Sequence, residues 1–149
     1  MSQRYPHPSE PAPEPDSALL GVLAAVIVAL IGGVVYGVVG GTFHVEISWA
    51  AVALGFFTGY VSGKAGGANP VLQAAAAVFS IGGVYLGELV IAALITSQDL
   101  NIALTEVFLS HSGLVGETWD LLFRDKFTVL FFALGAAGAV AGVRKGGAR

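Results

Sequence analysis

One acidic residue lies deep in an apolar run: Glu88, in GGVYLGELVIAA. A carboxylate in hydrocarbon is costly, so such a residue is by default a functional-site hypothesis. The chemistry would be proton- or cation-linked, or pairing with a partner's charge. The plainer alternative is structural. Glu88 falls about two turns short of the outer end of its helix, where it can reach the interface or bond Tyr36 or Tyr85. Two further polar residues stand in TFHVEISW, where His44 and Glu46 alternate and share one side if the segment is extended. Together with His111 and Glu88 they contain the imidazole and carboxylate groups of a divalent-metal site. No HExxH or comparable ligand spacing accompanies them, so they read as interfacial polar residues, and no metal or cofactor is expected. Asp120 and Arg124 are spaced for a surface pair on a helix. LSHSG and GETWD carry no nucleophile elbow, and the chain has no cysteine. Thiolate chemistry and disulfides are excluded, and no enzyme is expected.

The stretch GFFTGYVSGKAGG raises a different possibility, a phosphate-binding loop. Such a loop needs GxxxxGK[ST] between a strand and a helix. Here three residues separate Gly59 from Gly63, and Lys64 is followed by Ala65, so no hydroxyl is placed for magnesium. The glycines instead recur every four residues. Gly55, Gly59 and Gly63, with Gly67 beyond them, form one groove on a helix. Gly33, Gly37 and Gly41 form another, as do Gly83 with Gly87 and Gly138 with Gly142. Small residues at this spacing let membrane helices approach closely. A glycine-zipper pattern in four segments predicts a tight bundle, a tight oligomer, or both. The last repeat, Gly63 to Gly67, is equally a turn glycine.

The elements that must carry these residues follow from composition. Of 149 residues, 55% are hydrophobic and 11% charged, against about 25% charged in a soluble domain. A soluble chain this short has too little interior to hide that apolar surface, so the solvent is lipid. The net charge is −3 and the seven Lys/Arg residues are scattered, which leaves no footprint for nucleic acid.

Residues 1–17 are polar and proline-rich, a disordered cytoplasmic tail rather than a signal peptide. Apolar runs then predict helices over 18–41, 47–63, 70–95 and 127–143, the second and fourth at the short limit for a span. Trp49 suits an interfacial anchor, and Asn69–Pro70 is a helix-start signal. Residues 96–126 form an outer segment with Leu104, Val107 and Phe108, then Val115, Trp119 and Leu122, at helical spacing. Gly113 and Gly116 divide it into two short amphipathic helices that cap the bundle or lie on the bilayer. Residues 144–149 form a basic tail. The fold class is all-α, a four-transmembrane-helix bundle. Arg4, Lys64, Arg144, Lys145 and Arg149 on one side, against Arg124 and Lys126 on the other, place both termini in the cytoplasm.

Residues 18–92 carry a Gly-rich first helix, a short acidic outer turn, a Trp- and Ala-rich second helix, a GxxxGxxxGK end, the GGANPVL turn, and a third helix containing YLG. In these features the chain resembles a group of small polytopic bacterial membrane proteins frequent in actinobacteria. Members are described as uncharacterised, so the resemblance implies a fold and a bacterial plasma-membrane location without an activity. The reading of the whole sequence is a structural or accessory membrane component packing through its glycine faces. Its expected partners are the lipid bilayer and either a second copy or a larger membrane protein. The alternative is a small proton- or cation-linked transporter or channel using Glu88, with His44 or Glu46.

Overall fold

The computed structural model describes residues 15–44, 48–124 and 126–148. Six helices follow in order: α1 (Pro15–Phe43), α2 (Ser48–Gly66), α3 (Pro70–Leu100), α4 (Leu104–Ser110), α5 (Ser112–Phe123) and α6 (Lys126–Gly147). No strand occurs among the described residues. The proposed proline-rich tail falls mostly outside them, with α1 already under way at Pro15.

Among the described residues three helices are long and apolar enough to cross a membrane: Ser17–Phe43, Pro70–Leu100 and Phe127–Gly147. The chain therefore reads as a multi-pass membrane protein. The second expected span, now α2, does not reach that level of apolarity. It has 19 residues and carries Thr58, Tyr60, Ser62 and Lys64, whose polar atoms dilute its hydropathy.

Local signals explain the ends. The Val71 N–H donates to the Asn69 side chain at 2.9 Å, and Pro70 occupies the first helical turn, where its missing N–H costs nothing. Gly67, at φ +83°, turns the chain between α2 and α3, a conformation glycine adopts without steric cost. α3 runs on to Asn101, which closes it in the left-handed region with its N–H donated to Ser97 and Gln98 carbonyls. The expected end at residue 95 marks the end of the apolar run. The helix itself continues through Thr96–Leu100. At the other terminus α6 takes in Arg144 to Gly147, part of the expected basic tail.

The four long helices form a ring in the order α1, α2, α6, α3, with α2 also touching α3 across the middle. α1 runs parallel to α3: Gly33 faces Gly83, Gly37 faces Gly87 and Val90, and Gly41 faces Ile91 and Leu94. α2 runs parallel to α6, with Gly55, Gly59 and Gly63 opposite Gly135, Ala139 and Val143. The two pairs point in opposite directions, since Ser80 of α3 meets Gly55 of α2, and Val84 clusters with Ala51 and Leu54.

The ends nearest the two termini are flush. Gly66 faces Ser17 and Leu72, and Gly147 faces Gly67 and Ala68. The opposite ends are not. Glu88 lies two turns beyond Ser80, about 12 Å along α3, level with the first residues of α2 and α6. α3 continues a further ~18 Å above that height. α4 and α5 pack on this upper part of α3 and on each other. Ala92 and Ala93 meet Val107 and Val115 there, with Leu89, Ile102 and Trp119 against them.

Candidate functional site

The glycine faces are the most extensive feature singled out by spacing, and all of their glycines but Gly67 are turned toward a neighbouring helix. A methyl group at Gly59 would collide with the Ala139 carbonyl, and at Gly55 or Gly63 with the carbonyls of Gly135 or Val143. From the opposite side, Gly138 would place a Cβ 2.9 Å from the Val52 carbonyl oxygen, and Gly142 would meet the Phe56 carbonyl. On the α1–α3 seam the corresponding distances are 2.6 Å from Gly83 to the Ala29 oxygen and 2.7 Å from Gly37 to the Gly87 oxygen. Gly33 meets the Gly83 backbone, and Gly87 meets the Tyr36 ring. Gly41 is opposed by Leu94 at 2.8 Å, through its Cβ as well as its Cδ1, so a rotamer change alone does not make room. Gly67 is the exception, a turn residue with open space around it. Helix backbones this close gain dispersion and weak Cα–H···O contacts where lipid offers no hydrophobic drive.

Spacing alone misses part of this surface. Gly21, Gly66, Gly135, Gly146 and Gly147 also sit against backbone or tightly held neighbours. Gly146 continues the four-residue series of Gly138 and Gly142, so the signal is present but runs into the basic tail.

Glu88 is buried, 4% exposed. It belongs to a buried stripe of α3 at four-residue intervals: Leu72, Ala76, Ser80, Val84, Glu88, Ala92 and Thr96. One turn below, Val84 joins Ala51 and Leu54, with Phe131 and Phe132 against them. One turn above, Ala92 meets the α4–α5 cap. The carboxylate is thus set where the ring of four helices gives way to the cap. Tyr36 lies against the adjacent Gly87, and Tyr85 meets Trp119 edge to face at 5.4 Å between centroids.

Further buried hydroxyls lie below and above it. Thr58 donates to the Leu54 carbonyl at 2.8 Å, and Thr96 above donates to Ala92 at 2.8 Å. Such back-bonds satisfy a hydroxyl within its own helix. Ser62 and Ser80 are fully buried as well, and Ser80 is the small side chain that lets α2, α3 and α6 converge. The sequence marks none of these, because a hydroxyl in an apolar run looks the same facing lipid or core.

The other candidates do not gather around Glu88. His44 is exposed at the end of α1 with φ 52°. Glu46 lies outside the described residues. His111 caps the junction of α4 and α5, its N–H donated to the Val107 carbonyl at 3.0 Å. Among the described residues no three His, Asp or Glu side chains come together as a metal site. Asp120 and Arg124 do pair, at 3.5 Å on the exposed surface of α5. At the flush end Arg144 donates to Gln73 at 3.3 Å, and Lys64 lies 5.7 Å from the Tyr60 ring centroid. Chemically the described residues offer one enclosed carboxylate, a basic rim at the flush end and a closely welded bundle. No protein family, curated protein or solved structure matches the chain.

Proposed function

We propose that the chain is a four-span integral protein of a bacterial plasma membrane, with both termini cytoplasmic, serving as a structural or accessory component. α2 is the fourth span. It is flanked by α1 and α6 and touches α3, so its hydroxyls face protein and its length matches a ~30 Å hydrocarbon core. The basic inner rim of Lys64, Arg144 and Lys145 supports the cytoplasmic assignment. The observation that carries the functional reading is the inward use of the glycine faces. They make a rigid body with little extramembrane mass, suited to holding a position in a larger assembly. A partner or second copy then meets the outward surfaces, not the glycine grooves.

Purification from native membranes in mild detergent, read by native mass spectrometry, tests this. A defined complex with a second protein, or a homo-oligomer, is expected. A lone monomer from membranes that retain other complexes would sink the accessory reading.

The burial of Glu88 favours a second reading, a proton- or cation-linked pathway through this carboxylate. It predicts flux in proteoliposomes that Glu88→Gln abolishes while the bundle stays assembled. Absence of flux from well-folded wild-type protein removes it.

A further inference from the structure

We infer that α4 and α5 form a membrane-embedded cap seated in the headgroup layer of the outer leaflet, its apolar outer side chains taken up by lipid. The inference rests on the four-span reading. Its basis is the height at which the contacts hold the cap. From the flush inner end, a ~30 Å hydrocarbon core takes about 20 residues of α3 and ends near Glu88–Val90. α5 reaches below that boundary, since Trp119 packs on Tyr85. α4 rises about one turn above it, since Val107 packs with Ala92 and Ala93. The interfacial layer adds about 5–7 Å per side, so a helix about 10 Å across whose contacts straddle the boundary fills that layer. A helix held at this height lies in the headgroups and does not stand off in water.

The lateral position agrees. Tyr85 continues the exposed stripe of α3 that includes Val78 and Ile81, the flank that lipid covers in the four-span arrangement. α5 lies against that flank, so its surroundings are continuous with the lipid-facing surface. Leu109 is 85% exposed, and Phe108 and Leu114 on the cap are exposed as well. At the same height Trp49 is 73% exposed and Phe127 also faces outward, the aromatic belt of a membrane–water interface. The charged groups of the cap, Glu106, Glu117, Asp120 and Arg124, are all exposed. Apolar side chains thus sit beside charges, as in a helix lying in the interface plane.

The chain has no cysteine, so Leu109→Cys introduces a single thiol for an environment-sensitive fluorophore. Full-length labelled protein is reconstituted in phosphatidylcholine–phosphatidylglycerol vesicles and quenched in turn by shallow doxyl lipid, deep doxyl lipid and aqueous iodide. Severalfold stronger quenching by the shallow doxyl lipid than by either other agent is expected. Dominant iodide quenching overturns the inference, because the cap then stands in water. Dominant deep quenching overturns it as well. In native membranes, shielding from lipid and iodide together would assign the surface to a protein partner and overturn it. Val34→Cys, on the exposed side of α1, serves as a control. If that probe is not quenched by deep doxyl lipid, the four-span reading fails, independently of the cap.

Discussion

Gly59 and Gly82 look alike in composition and have opposite meanings. Gly59 is pressed against the Ala139 backbone, whereas nothing lies within 4 Å of a methyl group placed at Gly82. Gly59→Ala forces α2 and α6 apart and should lower the detergent melting temperature sharply. Gly82→Ala should raise stability by up to ~1 kcal/mol through helix propensity. Thermal melts of the two variants side by side check both signs. If Gly59→Ala melts like wild type, the α2 and α6 backbones are not in contact. Gly135 is intermediate. Its added methyl would lie 3.3 Å from the Ala51 oxygen and 3.6 Å from the Ser80 hydroxyl, so Gly135→Ala should cost clearly less than Gly59→Ala. Four-residue spacing makes the inward face of each helix legible in the sequence. It does not make legible which neighbouring glycine, Gly82 or Gly83, holds the phase, because that depends on where the partner helix lies. Glu88 is legible as an anomaly, though its level with the starts of α2 and α6 is not.

In the sequence, helix ends are marked where charge and glycine interrupt apolar runs, and two ends lie elsewhere for different reasons. Thr96 to Asp99 are polar, but α3 continues through them to its own cap at Asn101, so the end of the apolar run does not end the helix. At α6 the Gly146–Gly147 pair reads as a stop, but packing of Gly146 on Tyr60 and Gly147 on Ala68 keeps it helical. The start of α3 is legible because Asn69–Pro70 carries its own chemistry. Removing that cap, Asn69→Ala, should cost about 1 kcal/mol. At the other end Asn101 holds φ 52°, where a β-branched residue is strained and glycine is not. Asn101→Gly should therefore be neutral or mildly stabilising, and Asn101→Val should cost about 1–2 kcal/mol. Chemical denaturation in a fixed detergent ranks the three, and the reverse order for the Asn101 pair would contradict the left-handed cap.

At the scale of the molecule, composition alone places the chain in lipid, and three of its helices qualify as spans by length and composition. The ring order is not legible, since nothing in the sequence says that each long helix packs most extensively on the one two places along. The flush basic end and the uneven acidic end give a topological prediction. In intact cells an impermeant maleimide should label Ser112→Cys, whereas Ala148→Cys should react after permeabilisation alone. Equal labelling of both before permeabilisation would remove the proposed orientation.

The parallel seams also set a timetable for synthesis. Gly55 has to wait for Gly135, about 80 residues later, which a ribosome delivers in on the order of 4–16 s. For that interval α2, which by itself falls short of the apolarity of a span, presents a bare glycine groove to whatever is nearby. An insertion factor can shelter it, or the α6 of another newly made copy can enter it and produce a swapped dimer. Truncation before α6 makes the interval permanent. Such a chain should be recognised and degraded faster than one lacking only residues 1–14, a difference that a pulse–chase experiment in the producing cell would reveal.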